Sequence, residues 1–167
     1  EFLDPVPTFC QGIQGMEEAP PLRSVVNHLW LLTKEGEMVL RRLLWTTQLT
    51  SSIEFCPFLP NLLTTLLLIF SEAEASMLIN KLIRKAQHDQ QEESNPRIIL
   101  TRQTINKQAK LLVREGKKRM NAPEALGHLE QLGVDVHAVA VELLQDGCAH
   151  VLPFRALCRV VGSFLVE

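Results

Sequence analysis

Three prolines, Pro60, Pro123 and Pro153, each stand just ahead of a run of apolar residues at helical spacing, and this pattern most constrains the fold. Proline fixes φ and lacks an N–H, so it suits the first turn of a helix, where that N–H would have no intrahelical partner. Glycines close the same segments: Gly133 and Gly147 follow the second run and a further helix over Val136–Gln145. Asp135 is placed to cap that further helix, and Ser71-Glu72-Ala73-Glu74 reads as a capping box opening a helix that reaches about Ala86. No stretch alternates with period two and no βαβ rhythm is present, so the expected fold is all-α.

The remaining elements follow from the same signals. Residues 1–21 are rich in Pro and Gly and read as an irregular opening segment. Leu22 to Thr33 and Met38 to Trp45 carry apolar residues at helical spacing, with Gly36 as the expected break between them, and the tryptophans Trp30 and Trp45 are expected to pack between helices. Pro60 opens a helix running to Phe70. The polar stretch His88–Asn95, ending at Pro96, is expected to be an exposed loop over 88–96, followed by a long helix over Thr101–Met120. In the last helix, Leu157, Val160, Val161, Phe164 and Leu165 fall on one face. The chain opens without a methionine and closes at Glu167 with that stripe still running, which predicts one partial domain cut at both ends.

Composition narrows the function. The net charge of −2 argues against a nucleic-acid binder. The charge is unevenly spread, however: residues 84–122 carry ten basic and four acidic side chains, while the flanking segments are each net −4. Lys107, Lys110, Arg114 and Lys117 recur every three or four residues, so they share a helix face, and Lys118 and Arg119 extend it toward the end. A solvated face also complements the helix dipole there; a binding face would suit an anionic membrane, at about 1 kcal/mol per basic residue. The four cysteines show no metal-ligand spacing and are expected to be reduced and mostly buried. A Cys148/His150 nucleophile has no evident orienting partner. Glu37 and Arg41 are spaced for an i, i+4 pair. Leu62–Phe70, the most apolar run, is about half the ~20 residues that span a bilayer.

Several motifs, in order, resemble the TBC domain, the all-helical module of Rab GTPase-activating proteins. His128-Leu129-Glu130-Gln131-Leu132-Gly133-Val134-Asp135 is similar to the family's H-L-x-x-L-G-V-D step. Leu152-Pro153-Phe154 with Arg159 and Phe164-Leu165 is similar to its L-P-x-x-x-x-x-R helix. Leu40-Arg41-Arg42-Leu43-Leu44, followed by Ile53-Glu54-Phe55-Cys56, is similar to its L-R-R-(V/I)-L … (I/V)-G-Y-C-Q-G-M-N segment. The F-C-P-x-L-P form at residues 55–60 resembles the TBC–TLDc, or Skywalker-like, class.

The resemblance implies a regulator of Rab- or Arf-type small GTPases in vesicle or endosomal traffic. It further implies a cytoplasmic protein, peripheral on those membranes, that binds phosphoinositide and needs no cofactor. Active members use an arginine in I-x-x-D-x-x-R-T-F and a glutamine in Y-x-Q; a finger of this kind is worth ~10³–10⁵ in rate. Here Asp4, Thr8 and Phe9 match the first motif, but Pro7 stands at the arginine; Phe55 and Cys56 align with the second, but Pro57 stands at the glutamine. The expectation is therefore a fold of GTPase-activating type without its catalytic residues. The alternatives are a GTPase-activating protein that acts through other residues, and a helical interaction scaffold unrelated to GTPases.

Overall fold

The computed structural model describes residues 6–10, 22, 26, 31–51, 53–91, 101–118 and 122–166. Within them all regular structure is helical, as the sequence predicts. Among the described residues a 3-10 turn, Thr8–Cys10, precedes the α-helices α1 (Lys34–Thr50), α2 (Leu59–Leu67), α3 (Glu72–Gln91), α4 (Arg102–Lys118), α5 (Ala122–Gln131), α6 (Val136–Gln145) and α7 (Phe154–Val166). Of the Leu22–Thr33 stretch, Leu22 and Val26 are buried and joined by a helical Val26 N–H to Leu22 C=O bond of 3.1 Å. Trp30 lies outside the described residues.

Several expected boundaries move: the helix expected over Met38–Trp45 spans Lys34–Thr50, and the one expected to run to Phe70 ends at Leu67, where the Ile69 N–H bonds the Leu66 carbonyl at 3.0 Å in a closing turn. Gly36 does not break a helix; it sits in the first turn of α1, where its N–H donates to the Thr33 hydroxyl at 3.1 Å. A glycine inside a helix costs only about 1 kcal/mol relative to alanine, which the burial of Leu40, Leu43 and Leu44 along α1 outweighs. The expected loop beginning at His88 is likewise helical through Gln91, because α3 continues five residues past Ala86. Polarity alone does not stop a helix, since glutamine is a good helix former. Residues 92–100 lie outside the described residues.

Other ends follow local chemistry. Ser71 and Glu74 form the capping box: the Ser71 N–H donates to Glu74 Oε2 at 2.9 Å, and the Glu74 N–H reaches the Ser71 hydroxyl at 3.5 Å. Gly133, at φ 77°, ends α5, and the Val134 N–H closes back on the Leu129 carbonyl at 3.0 Å. This is the six-to-one bond of a Schellman cap. Asp135 then caps α6 by accepting from the His137 and Ala138 amides at 2.9 and 3.1 Å. In α2 the Thr64 and Thr65 hydroxyls are buried and satisfied by the carbonyls of Pro60 and Asn61 at 2.8 and 3.0 Å.

The helices enclose two apolar clusters. The larger joins Val6, Phe9 and Cys10 to α1, α2, α3 and the inner face of α7, with Leu59, Leu62, Leu63 and Leu66 of α2 fully enclosed. On α7, Leu157 and Val161 point inward while Val160 is 46% exposed, so the expected apolar stripe is narrower than drawn from sequence. The smaller cluster holds Phe55, Ile105 and Ala109 of α4, and Ala140 and Val141 of α6. Glu37 and Arg41 both lie on α1 at their i, i+4 spacing, and one residue further on Arg42 makes an inter-helix pair. It reaches across to Glu72 of α3 with two bonds, at 2.8 and 2.5 Å.

Candidate functional site

Three places carry the residues that the sequence brings forward. The first is the segment 53–60, which leads from α1 into the first turn of α2. Its side chains diverge: Cys56 and Leu59 enter the larger cluster, while Phe55 enters the smaller one, with the Arg102 guanidinium 5.5 Å from its ring centroid. The segment therefore links the two cores. The Cys56 N–H donates to the Phe9 carbonyl at 2.6 Å, and the Cys10 N–H donates to the Pro7 carbonyl at 3.1 Å. The segments containing Pro7 and Pro57 thus meet in space, and both prolines are buried. Burial pushes the Cys56 thiol up to about 12 and, with Cys56 beside it, raises Cys10 well above its ordinary value. Neither is an activated nucleophile, because the nucleophilic form is the thiolate.

The second place is the basic face of α4. Lys107, Lys110, Arg114, Lys117 and Lys118 are all exposed and outward, as the spacing predicts; Arg119 lies outside the described residues. They are not equivalent. Lys117 Nζ bonds Glu130 of α5 at 2.8 Å, and Lys118 Nζ bonds Glu115 at 2.9 Å with the Arg114 guanidinium 3.4 Å from the same carboxylate. The Lys118 hydrogen bond, then its charge, holds the Glu115 carboxyl below its usual range. Lys107 and Lys110 have no carboxylate partner among the described residues, and they are the cations best placed to meet an outside anion. Arg159 stands exposed on α7.

The third place is the turn between α6 and α7. Asp146 accepts from the Cys148 amide at 3.0 Å, from the His150 amide at 3.2 Å, and from His150 Nδ1. Sequence alone gives Cys148 and His150 no orienting group; the structure supplies Asp146, two and four residues away. The Cys148 thiol, however, is directed at the Leu143 carbonyl (3.7 Å), and burial followed by the Asp146 charge raises its pKa. The arrangement fixes a strained turn rather than a nucleophile. Gly147 and Cys148 both adopt φ 63°, and Gly147 lies so close to the Phe58 ring that a Cβ there would overlap it.

Between α4, α5 and α6 lies an open cavity of about 390 Å³, walled by Leu112, Val113 and Gly116 of α4, Leu126 and Leu129 of α5, and Val139 of α6. Every residue of its lining is apolar. Its walls come from three helices, and of the quoted motifs the 128–135 step contributes Leu129 and Val134.

No family model, curated protein or solved structure matches this chain. Among the described residues no group of three His, Cys, Asp or Glu side chains is placed to hold a metal ion, and no described helix is long and apolar enough to cross a membrane.

Proposed function

We propose that the chain is a TBC-type binding module for a Rab- or Arf-type small GTPase and an anionic phosphoinositide surface, acting in vesicle or endosomal traffic without finger chemistry of its own. One observation carries the reading: the Cys56 N–H to Phe9 C=O bond joins the two segments that the motif resemblance singles out separately. An arginine and a glutamine acting on one phosphoryl group must come from segments that meet, and these meet. At that junction both aligned positions are buried prolines, which offer no guanidinium, no amide and no backbone N–H. The membrane part of the reading is supported by Lys107 and Lys110, whose charges are not neutralised by neighbouring carboxylates among the described residues.

The test is a phosphate-release assay against a panel of Rab and Arf GTPases, run beside direct binding and vesicle co-sedimentation. Binding without stimulated hydrolysis is expected; robust stimulation by the unmodified chain sinks the proposal. The variant P7R/P57Q asks whether the fingers can be restored, and it is read beside a melting curve because both positions are buried. The scaffold reading is favoured by one feature: the basic residues of α4 form an outward ridge, three of them already ion-paired, rather than a groove. Unchanged GTPase and vesicle binding in K107E/K110E would select it.

A further inference from the structure

The cavity between α4, α5 and α6 is a large concavity that the proposed GTPase and membrane contacts leave unused. Its volume of about 390 Å³ falls at the lower end of the roughly 300–1,000 Å³ of small-molecule sites. Native cores pack to crystal-like density, so an opening of this size is a departure from how the rest of the chain is built. Its origin is visible: Gly116 faces Leu126, and a Cβ at Gly116 would still stand 3.8 Å from Leu126 Cδ1. The walls offer no side-chain hydrogen-bond donor or acceptor, so they cannot orient a sugar, a nucleotide or an extended peptide, whose backbone polar groups would go unsatisfied there. They suit methylene groups. Leu112 and Leu129 at the cavity, 47% and 39% exposed, leave apolar surface in water that a ligand chain would cover.

Charge beside the cavity selects the kind of chain. Val113 is part of the wall, and Lys110 and Lys117 stand three residues before and four after it on α4. Side chains at those spacings are neighbours on a helix surface, about 5–6 Å apart at Cβ. Lys117 is held by Glu130, whereas Lys110 has no carboxylate partner among the described residues. The geometry points to a single-chain anionic amphiphile: a fatty acid, with its alkyl chain between α4, α5 and α6 and its carboxylate at Lys110. The small volume favours one chain over the two of a bilayer phospholipid. The assignment does not depend on the GTPase reading.

The experiment is a calorimetric titration of the 167-residue chain with dodecanoate below its micellar concentration, with dodecanol as the uncharged probe. Two variants report. Gly116→Leu fills the cavity while replacing glycine by a stronger helix former in α4, so its melting temperature is expected to hold or rise. Lys110→Glu removes the headgroup partner at an exposed position. Saturable dodecanoate binding is expected, weakened at least tenfold by Gly116→Leu and severalfold by Lys110→Glu, with dodecanol unaffected by the second variant. Absence of dodecanoate binding overturns the proposal, as does undiminished binding to a folded Gly116→Leu chain. Equal loss of dodecanol and dodecanoate in Lys110→Glu overturns the headgroup assignment. A dimer in sedimentation that Leu112→Lys dissolves would give the cavity to a second copy of the chain and overturn the fatty-acid assignment.

Discussion

Gly147→Ala is the substitution whose cost the structure fixes best. Gly147 sits at φ 63°, a conformation that costs an L-residue roughly 1–2 kcal/mol. The added Cβ would also overlap the Phe58 ring, standing 2.8 Å from Cζ and closer still to two neighbouring ring carbons. Forcing a side chain into occupied space costs roughly 1–3 kcal/mol, so the sum is about 2–5 kcal/mol. Gly133 provides the control. It has φ 77°, and a Cβ there would meet nothing within 4 Å, so Gly133→Ala should lose only the backbone part, about 1–2 kcal/mol. The assay is urea unfolding followed by circular dichroism, with both glycine variants made in the native and Phe58→Ala backgrounds. The excess cost at Gly147 should fall by about 1–3 kcal/mol once Phe58 is removed. If Gly147→Ala proves no worse than Gly133→Ala, the packing of the 146–148 turn against segment 53–60 is refuted.

Three other perturbations test neighbouring features. Asp146→Ala removes the acceptor for two backbone amides and the His150 ring, and should cost about 1–2 kcal/mol by urea unfolding; Cys148→Gly should recover about 1 kcal/mol by relieving the left-handed residue. Alkaline pH should destabilise the chain. The folded-state pKa of Cys56 lies at about 12 and the unfolded one at about 8.5, so above that lower value the unfolded state binds fewer protons and stability falls until the upper one is reached. The slope is about 1.4 kcal/mol per pH unit for this thiol, and comparing urea midpoints at about pH 8 and pH 10 should show Cys56→Ala flattening it. Finally, a thiol reagent should label the half-buried Cys148 and Cys158 in the native chain well before the buried Cys10 and Cys56; uniform labelling would contradict the packing of segment 53–60.

What the sequence made legible was whatever depends on residues within a turn of one another. The Ser71–Glu74 box, the Asp135 cap, the Gly133 stop and the prolines at the starts of α2, α5 and α7 (Pro60 and Pro123 in the first turn, Pro153 just before it) are such features, and each stands where local chemistry puts it. Gly36 misled because its helical cost is small beside the burial of Leu40 and Leu44, which only the assembled core reveals. His88–Gln91 misled because a polar face toward water is compatible with a helix. The site was harder. The periodicity gave the outward direction of the basic side chains on α4, but the pairing of Lys117 with Glu130 depends on how α5 lies across α4. The cavity, the seat of Phe58 on Gly147 and the Phe9–Cys56 junction join residues remote in the chain, and no local pattern encodes them.

That junction has a mechanical consequence. Two extended segments that met through ordinary residues could exchange bonds at every second position and lock into a ladder. Here the acceptor, Phe9, lies in the 3-10 turn Thr8–Cys10 rather than in a strand, and Pro7, two residues before it, has no N–H to offer a further rung. Residues 6–10 are held to segment 53–60 through that bond, with Val6, Phe9 and Cys10 seated in the core. Trimming Phe9 to alanine would open a cavity in the cluster that residues 6–10 share with α1, α2 and α3, and so loosen the junction from the core side.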